Sequence, residues 1–363
     1  MQYIFNFAAT NFTRMTSIPQ AKDLEQLLSQ GLKTIIISHF NPDGDAIGSS
    51  VGMRGYLQGT GREATVAVPS RKPEFLDFLD PDGEILCYAD NKQATLDAVN
   101  GAELIICLDF NRLDRTEWLA ESLEASQATK VLIDHHLHPD TDKFDLVISD
   151  PGASSTCELL YRVLMSFSSV GSDPSRLGLD TLTAITTGIL TDTNNFNNSI
   201  TPDTFAIASD MLRQGVDFDA INNLVFKRYS ESRMRLMGHL LTDSMEIDRP
   251  LKASSMVITL KDRHDFNFSD GDSEGFVNLP LMIRDVEVSA LFSETAEYVR
   301  VSLRSKGHVS VNALSNAYFN GGGHERAAGG RLYMPISQVR DYFLRSLEQF
   351  LQINGNPTAE SER

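Results

Sequence analysis

Four apolar segments of this chain each end in residues able to bind divalent cations. His39, Asp43 and Asp45 follow or close TIIIS (34–38), Asp109 follows LIICL (104–108), Asp134, His135 and His136 follow KVLI (130–133), and Asp192 follows TTGIL (186–190). Polar groups set directly after a buried run cost a core free energy unless something binds them. Taken singly, each has a plain explanation. Asp43 and Asp45 can shape a turn or cap a helix, and Asp109 and Asp192 can turn the chain. Four such endings together are not explained that way. Asp43, Asp45, Asp109, Asp192, His39 and His135 offer carboxylate and imidazole donors and no thiolate, a set that suits Mn²⁺ or Mg²⁺ better than a structural zinc. So many groups exceed what one cation with an open position can use. Two cations roughly 3.5–4 Å apart, bridged by one carboxylate and a hydroxide, use them all, and such a pair hydrolyses phosphate esters or anhydrides.

The elements that must position these residues are legible in outline. Non-alternating β-branched runs at 34–38, 64–68, 104–108, 130–133 and 145–149 read as strands, with helical patterns at 46–58 and 116–125 between them. Such runs suit a parallel sheet covered on both faces, which binds its ligands at the carboxyl ends of its strands. Helical spacing continues at 157–165, 177–190 and 205–212, and 230–245 reads as a long connecting helix capped by Ser230 or Ser232. Beyond Pro250, alternating runs at 254–260, 286–292 and 298–303 join helices at 309–319 and 337–351. The expected fold is α/β: a mostly parallel N-terminal sheet flanked by helices (1–229), a connecting helix (230–250), a smaller α+β domain (251–353) and a disordered tail (354–363). The start, MQYIFNFAATNFTRM, carries no basic residue before Arg14 and reads poorly as a signal peptide. It suits a frayed lead-in, or translation starting at Met15.

Composition bounds the partners. A net charge of −17 argues against a broad basic face for long duplex nucleic acid, and no apolar run approaches membrane-spanning length. Cys87, Cys107 and Cys157 show no paired spacing, which points to free thiols and a reducing, cytoplasmic setting. One stretch opposes the overall charge. Between Tyr298 and Arg331 the basic residues are Arg300, Arg304, Lys306, Arg326 and Arg331, against the single acid Glu325. Arg304 is the first choice for a phosphate contact, because its planar fork matches phosphate oxygens. Arg300, Ser302 and Arg304 share one face of a strand. In GGGHERAAGG (321–330), Gly322 and Gly323 let backbone N–H groups approach an oxyanion, with His324 and Arg326 beside them. Arg112, Arg115 and Trp118 read as solvated or packing residues, although Arg115 could add charge near the site.

These segments resemble the DHH phosphoesterase superfamily over about residues 32–351. His39-x-x-x-Asp43-x-Asp45, Asp109, Asp134-His135-His136 and Asp192 look like its four motifs in order. ASSTCE (153–158) resembles a further family segment, and RVSLRS (300–305) with GGGHERAAGG resembles the DHH-associated C-terminal domain. The resemblance implies two Mn²⁺ ions, with Mg²⁺ or Co²⁺ as substitutes. It implies His39 and Asp43 on one ion, Asp45, His135 and Asp192 on the other, and Asp109 bridging. Asp134 then orients a metal-bound imidazole, His136 faces the substrate, and Ser154 and Ser155 contact it. The implied substrates are short oligoribonucleotides or nucleotide bisphosphates such as 3′-phosphoadenosine 5′-phosphate, and a homodimer is compatible with the resemblance. Linear or cyclic dinucleotides, polyphosphate, and a nucleotide-binding regulator without activity are the alternatives. Many relatives have Gly where this chain has Asn194, which puts only the local loop shape in question.

Overall fold

A computed structural model describes residues 18–227, 229–269 and 271–354, and for His324 the backbone alone. The chain divides into two compact units, Met1–Arg228 and Tyr229–Arg363. The expected lead-in and most of the expected tail lie outside the described residues. Asn354 does not belong to that tail, since it closes the last helix, Val339–Asn354.

The first unit is built on a six-stranded sheet: β1 (Thr34–Ile37), β2 (Ala64–Val68), β3 (Leu86–Cys87), β4 (Leu104–Leu108), β5 (Thr129–Asp134) and β6 (Leu146–Ser149). The strand order is β3-β2-β1-β4-β5-β6 and every pairing is parallel. Alternate residues of each strand enter different cores. Ile36, Ile106 and Val131 pack into one, and Ile35, Ile37, Ile105 and Leu132 into the other. Burial on both faces is why these strands read as unbroken apolar runs. The two-residue β3 is too short to leave a periodic signal. The chain runs outward in opposite directions from β1 and β4, so the topological switch point lies between them.

Two helices meet closely beside this point. Gly44, Gly48, Gly52 and Gly55 line one side of the helix Gly44–Gly59. A methyl group on Gly48 would sit 2.6 Å from the Ala184 carbonyl oxygen of the helix Leu179–Asp192, and one on Gly52 would sit 2.8 Å from Ile185. Only bare backbone permits that approach. The expected helix at 116–125 is instead a 3₁₀ segment, Leu113–Leu119, followed by a short α-helix, Ala120–Ala125, because Glu117 takes φ 43° and kinks the chain.

The second unit carries β7 (Glu246–Asp248), β8 (Ala253–Ile258), β9 (Val288–Glu294), β10 (Val299–Ser305), β11 (Gly322–His324) and β12 (Ala327–Leu332). Their order is β11-β12-β10-β9-β8-β7, antiparallel except for β8 with β9. The expected connecting helix at 230–245 is shorter: Glu231–His239, capped by Ser230 and followed by a π turn, Leu240–Ser244. Leu236 and Leu240 are buried with Met256, Ile258 and Phe276. The segment is thus part of the second unit's core rather than a separate linker.

Candidate metal centre

His39 and Asp109 stand at the ends of the two strands that flank the switch point. Their side chains approach to 3.4 Å, His39 Nε2 to Asp109 Oδ2. His39 Nδ1 lies 2.9 Å from the Phe40 carbonyl oxygen, so that nitrogen carries the proton and Nε2 offers its lone pair. Asp109 holds the left-handed φ of 66°, an uncommon conformation for a non-glycine residue. It turns the carboxylate out of the strand direction. Backbone strain of this kind gathers at functional sites.

The other oxygen of Asp109 faces the DHH segment. Asp109 Oδ1 lies 3.8 Å from His135 Nε2, which in turn lies 3.4 Å from Asp192 Oδ2. Three overlapping groups could each hold a cation: His39 with Asp43 and Asp109; Asp45 with His135 and Asp192; and Asp109 with His135 and His136. The expected ligand residues are therefore brought together, with Asp109 shared between groups.

The supporting contacts explain this precision. Asp43 caps the helix Gly44–Gly59, accepting from the N–H groups of Asp45 and Ala46. Asp45, 1% exposed, accepts from the backbone N–H groups of Thr156 (2.6 Å) and Cys157 (2.9 Å). Thr156 Oγ1 also donates to Asp109 Oδ1 at 3.0 Å. The Asp134 carboxylate, fully buried, accepts from His136 Nδ1 at 2.7 Å and from the His136 backbone N–H. Asp134 therefore orients His136, an imidazole of one of the three candidate cation groups. His135 Nδ1 is held by the Ala153 carbonyl oxygen, 3.3 Å away. Thr156 and Ala153 escaped sequence reasoning, because nothing in ASSTCE says which way its backbone points.

Ser154 and Ser155 depart from expectation. Ser155 caps the helix Thr156–Ser166 through Glu158 N–H, and Ser154 donates to the buried Glu158 carboxylate at 2.6 Å. Both residues are at most 1% exposed. Their hydroxyls are used inside the fold and are not substrate contacts.

The cluster is electrostatically unfinished. Burial, together with the charges of Asp45, Asp43, Asp192 and Asp134, pushes the Asp109 carboxyl well above its ordinary range. Burial, then Asp45 and Asp43, pushes Asp192 up to about 8. Among the described residues the ion-pair partners of Asp109 and Asp192 are histidines, with no Lys or Arg. Carboxylates crowded without cationic side chains, beside imidazoles with lone pairs turned inward, fit divalent cations.

In the second unit, Arg300, Ser302 and Arg304 share the less buried face of β10. Arg304 is half-buried, and among the described residues its side chain donates only to the Leu303 carbonyl oxygen. Burial lowers its affinity for its proton, and the charge of Glu274 partly offsets this. Other basic residues of this island have internal partners. Lys306 donates to the carbonyls of Leu281, Ile283 and Arg284, and Arg326 to that of Val309. The glycine-rich segment forms a β-hairpin. Gly322 pairs with Gly329 and Gly323 with Ala328. Gly323 takes φ 150°, and a side chain there would meet the Ala327 carbonyl oxygen. Strand packing thus accounts for the glycine at 323. The side chain of His324 lies outside the described residues.

The model for the DHH family, N-terminal domain, matches residues 33–189, and that for the DHHA1 domain matches residues 253–353. A protein of Streptococcus mutans named a probable bifunctional oligoribonuclease and PAP phosphatase NrnA is 30% identical, over 83% of this chain and 90% of its own length. The chain belongs to the DHH family. It is accordingly a phosphoesterase, a hydrolase of phosphate ester bonds. The bifunctional oligoribonuclease and PAP phosphatase NrnA of Thermus thermophilus is 29% identical over 92% of this chain and 96% of that one. A solved exopolyphosphatase-related protein of Bacteroides fragilis superposes with a TM-score of 0.86 at 35% identity, over 91% of this chain and 96% of that one. Asn194 takes the left-handed φ of 47°, a conformation that Asn tolerates better than most residues. Among the described residues no helix is long and apolar enough to cross a membrane.

Proposed function

We propose that this phosphoesterase hydrolyses short oligoribonucleotides and 3′-phosphoadenosine 5′-phosphate with two Mn²⁺ ions. The observation that carries the reading is Asp109, whose two carboxylate oxygens face two different ligand groups. His39 and Asp43 complete one group, and Asp45, His135 and Asp192 the other. Cations bound there supply a hydroxide at neutral pH and polarise the phosphoryl oxygen. The protein's own part is positional. Thr156 holds one oxygen of Asp109, and the start of the helix Thr156–Ser166 holds both oxygens of Asp45. Asp134 grips His136 at Nδ1 and so orients the ring, which faces the substrate and donates to the leaving oxygen. Arg304, with Arg300, binds the terminal phosphate of the substrate, because a half-buried guanidinium with no ion pair among the described residues is suited to an anion. The choice of substrates is supported by the names of the relatives that match over most of their length.

The test is a product assay on chelated protein before and after Mn²⁺ is restored. The substrates are a 5′-phosphorylated dinucleotide, a trinucleotide, 3′-phosphoadenosine 5′-phosphate, cyclic di-adenylate and polyphosphate. Mononucleotides from the oligomers, and adenylate plus phosphate from the bisphosphate, are expected. Asp109→Ala removes the shared ligand and should abolish turnover. Release from polyphosphate alone would overturn the reading.

A further inference from the structure

Beside His39 lies a cavity of about 430 Å³, lined by His39, Phe40, Asn41, Asp114, Arg115 and Glu117. These residues come from the segments after β1 and β4, the strands that flank the switch point. The two segments are tied by the Phe40 N–H, which donates to the Arg115 carbonyl oxygen at 2.9 Å. That tie uses Arg115's backbone and leaves its side chain available. Arg115 is exposed, and among the described residues no carboxylate lies within ion-pair distance of it. The contrast with its neighbour is instructive. Arg112 is paired with Asp114, so that acid's charge is already answered. Glu117, on the kinked backbone at φ 43°, is the other acid of the lining. Asn41, held at φ 56° with its N–H bonded by Ser70 Oγ at 2.7 Å, adds an amide side chain. Phe40 adds an aromatic wall, braced edge-on by Trp118 at 4.8 Å.

An unpaired guanidinium, an amide and a ring around a cavity that starts at a metal-site histidine match the parts of a nucleotide: phosphate, polar edge and base. The volume is within the range of small-ligand sites. We infer that this cavity is a subsite for the nucleotide next to the one being released, with Arg115 binding the phosphodiester that follows the scissile one. The inference rests on the proposed oligoribonucleotide activity. It makes Arg115 a substrate-binding residue that favours three or more nucleotides, whereas a dinucleotide has no second internal phosphodiester to offer it.

The test compares a 5′-phosphorylated trinucleotide with the corresponding dinucleotide, using full-length protein with Mn²⁺. Arg115→Ala should lower kcat/KM about tenfold on the trinucleotide, the loss appearing in KM, and by a much smaller factor on the dinucleotide. Arg115→Lys should recover part of the loss by keeping the charge. Binding of a phosphorothioate trinucleotide, followed by calorimetry, should weaken in parallel. Arg304→Ala provides the contrast, since both substrates carry the terminal phosphate and both should suffer alike. Equal losses on the two substrates with Arg115→Ala, or no loss on either, would overturn the subsite. Failure of the unaltered protein to cleave either oligonucleotide would instead refute the activity on which it rests.

Discussion

Asp134 is fully buried and belongs to none of the candidate cation groups among the described residues. Its work is to hold His136 at both the ring and the backbone. A carboxylate fixes the tautomer and orientation of the imidazole. Asp134→Asn keeps the shape and removes the charge. It should lower kcat about 10–100-fold while both cations remain bound, the usual scale for such supporting partners. Steady-state kinetics beside metal analysis will show this, and loss of a cation in place of kcat would mean that Asp134 serves the ligands instead. His135 and His136 are adjacent in sequence but differ in work because their partners differ. One is held by the Ala153 carbonyl, the other by Asp134.

The meeting of the helices Gly44–Gly59 and Leu179–Asp192 sets the site's dimensions at the scale of elements. Asp45 lies in the first turn of one helix and Asp192 ends the other. Bare backbone at Gly48 brings them within one ligand group. At Gly188, in the second helix, an added methyl would collide with Cys157 Sγ and lie 2.8 Å from Asp45 Oδ1. Gly48→Ala forces a methyl against backbone, which cannot rotate aside. Overpacking of this kind costs about 1–3 kcal/mol. Denaturant unfolding should show that loss, and Mn²⁺ titration should show weaker binding at the Asp45, His135 and Asp192 group. Unchanged stability and affinity would mean that the helices can part without consequence.

For the whole molecule, the acidic cluster links stability to pH and to metal. Asp192 holds its proton up to about 8 in the folded, metal-free protein, and Asp109 is likewise raised. In the unfolded chain both release it near the ordinary carboxylate value of about 4. Between those limits the folded state binds more protons, so stability falls as pH rises. The contribution of Asp192 is fully present below about pH 4 and is lost as pH passes through about 8, and that of Asp109 is lost in the same direction. Chelated protein should therefore show a lower Tm at pH 8 than at pH 5.5. Saturating Mn²⁺ should remove most of that difference, because bound cations favour the ionised carboxylates and stabilise the folded state by mass action. Thermal melts at both pH values decide it, and an identical pH effect with and without Mn²⁺ would contradict the linkage.

Much of this was legible in the residues themselves. The strand ends, the ligand types and their order along the chain were local features, and the parallel sheet followed from unbroken apolar runs. The short β3, the kink at Glu117 and the hairpin at Gly322–Leu332 were not, because each depends on contacts that sequence periodicity does not register. Ser154 and Ser155 misled for a related reason. A hydroxyl beside a motif looks available until the fold supplies Glu158 as its partner. The sequence alone determined which donors exist, a set that suits divalent cations and phosphate. Only the tertiary structure decided which imidazole each support holds, and that Asp109 faces two groups at once. Donor type is a property of a residue, whereas ligand geometry is a property of distances between residues far apart in the chain.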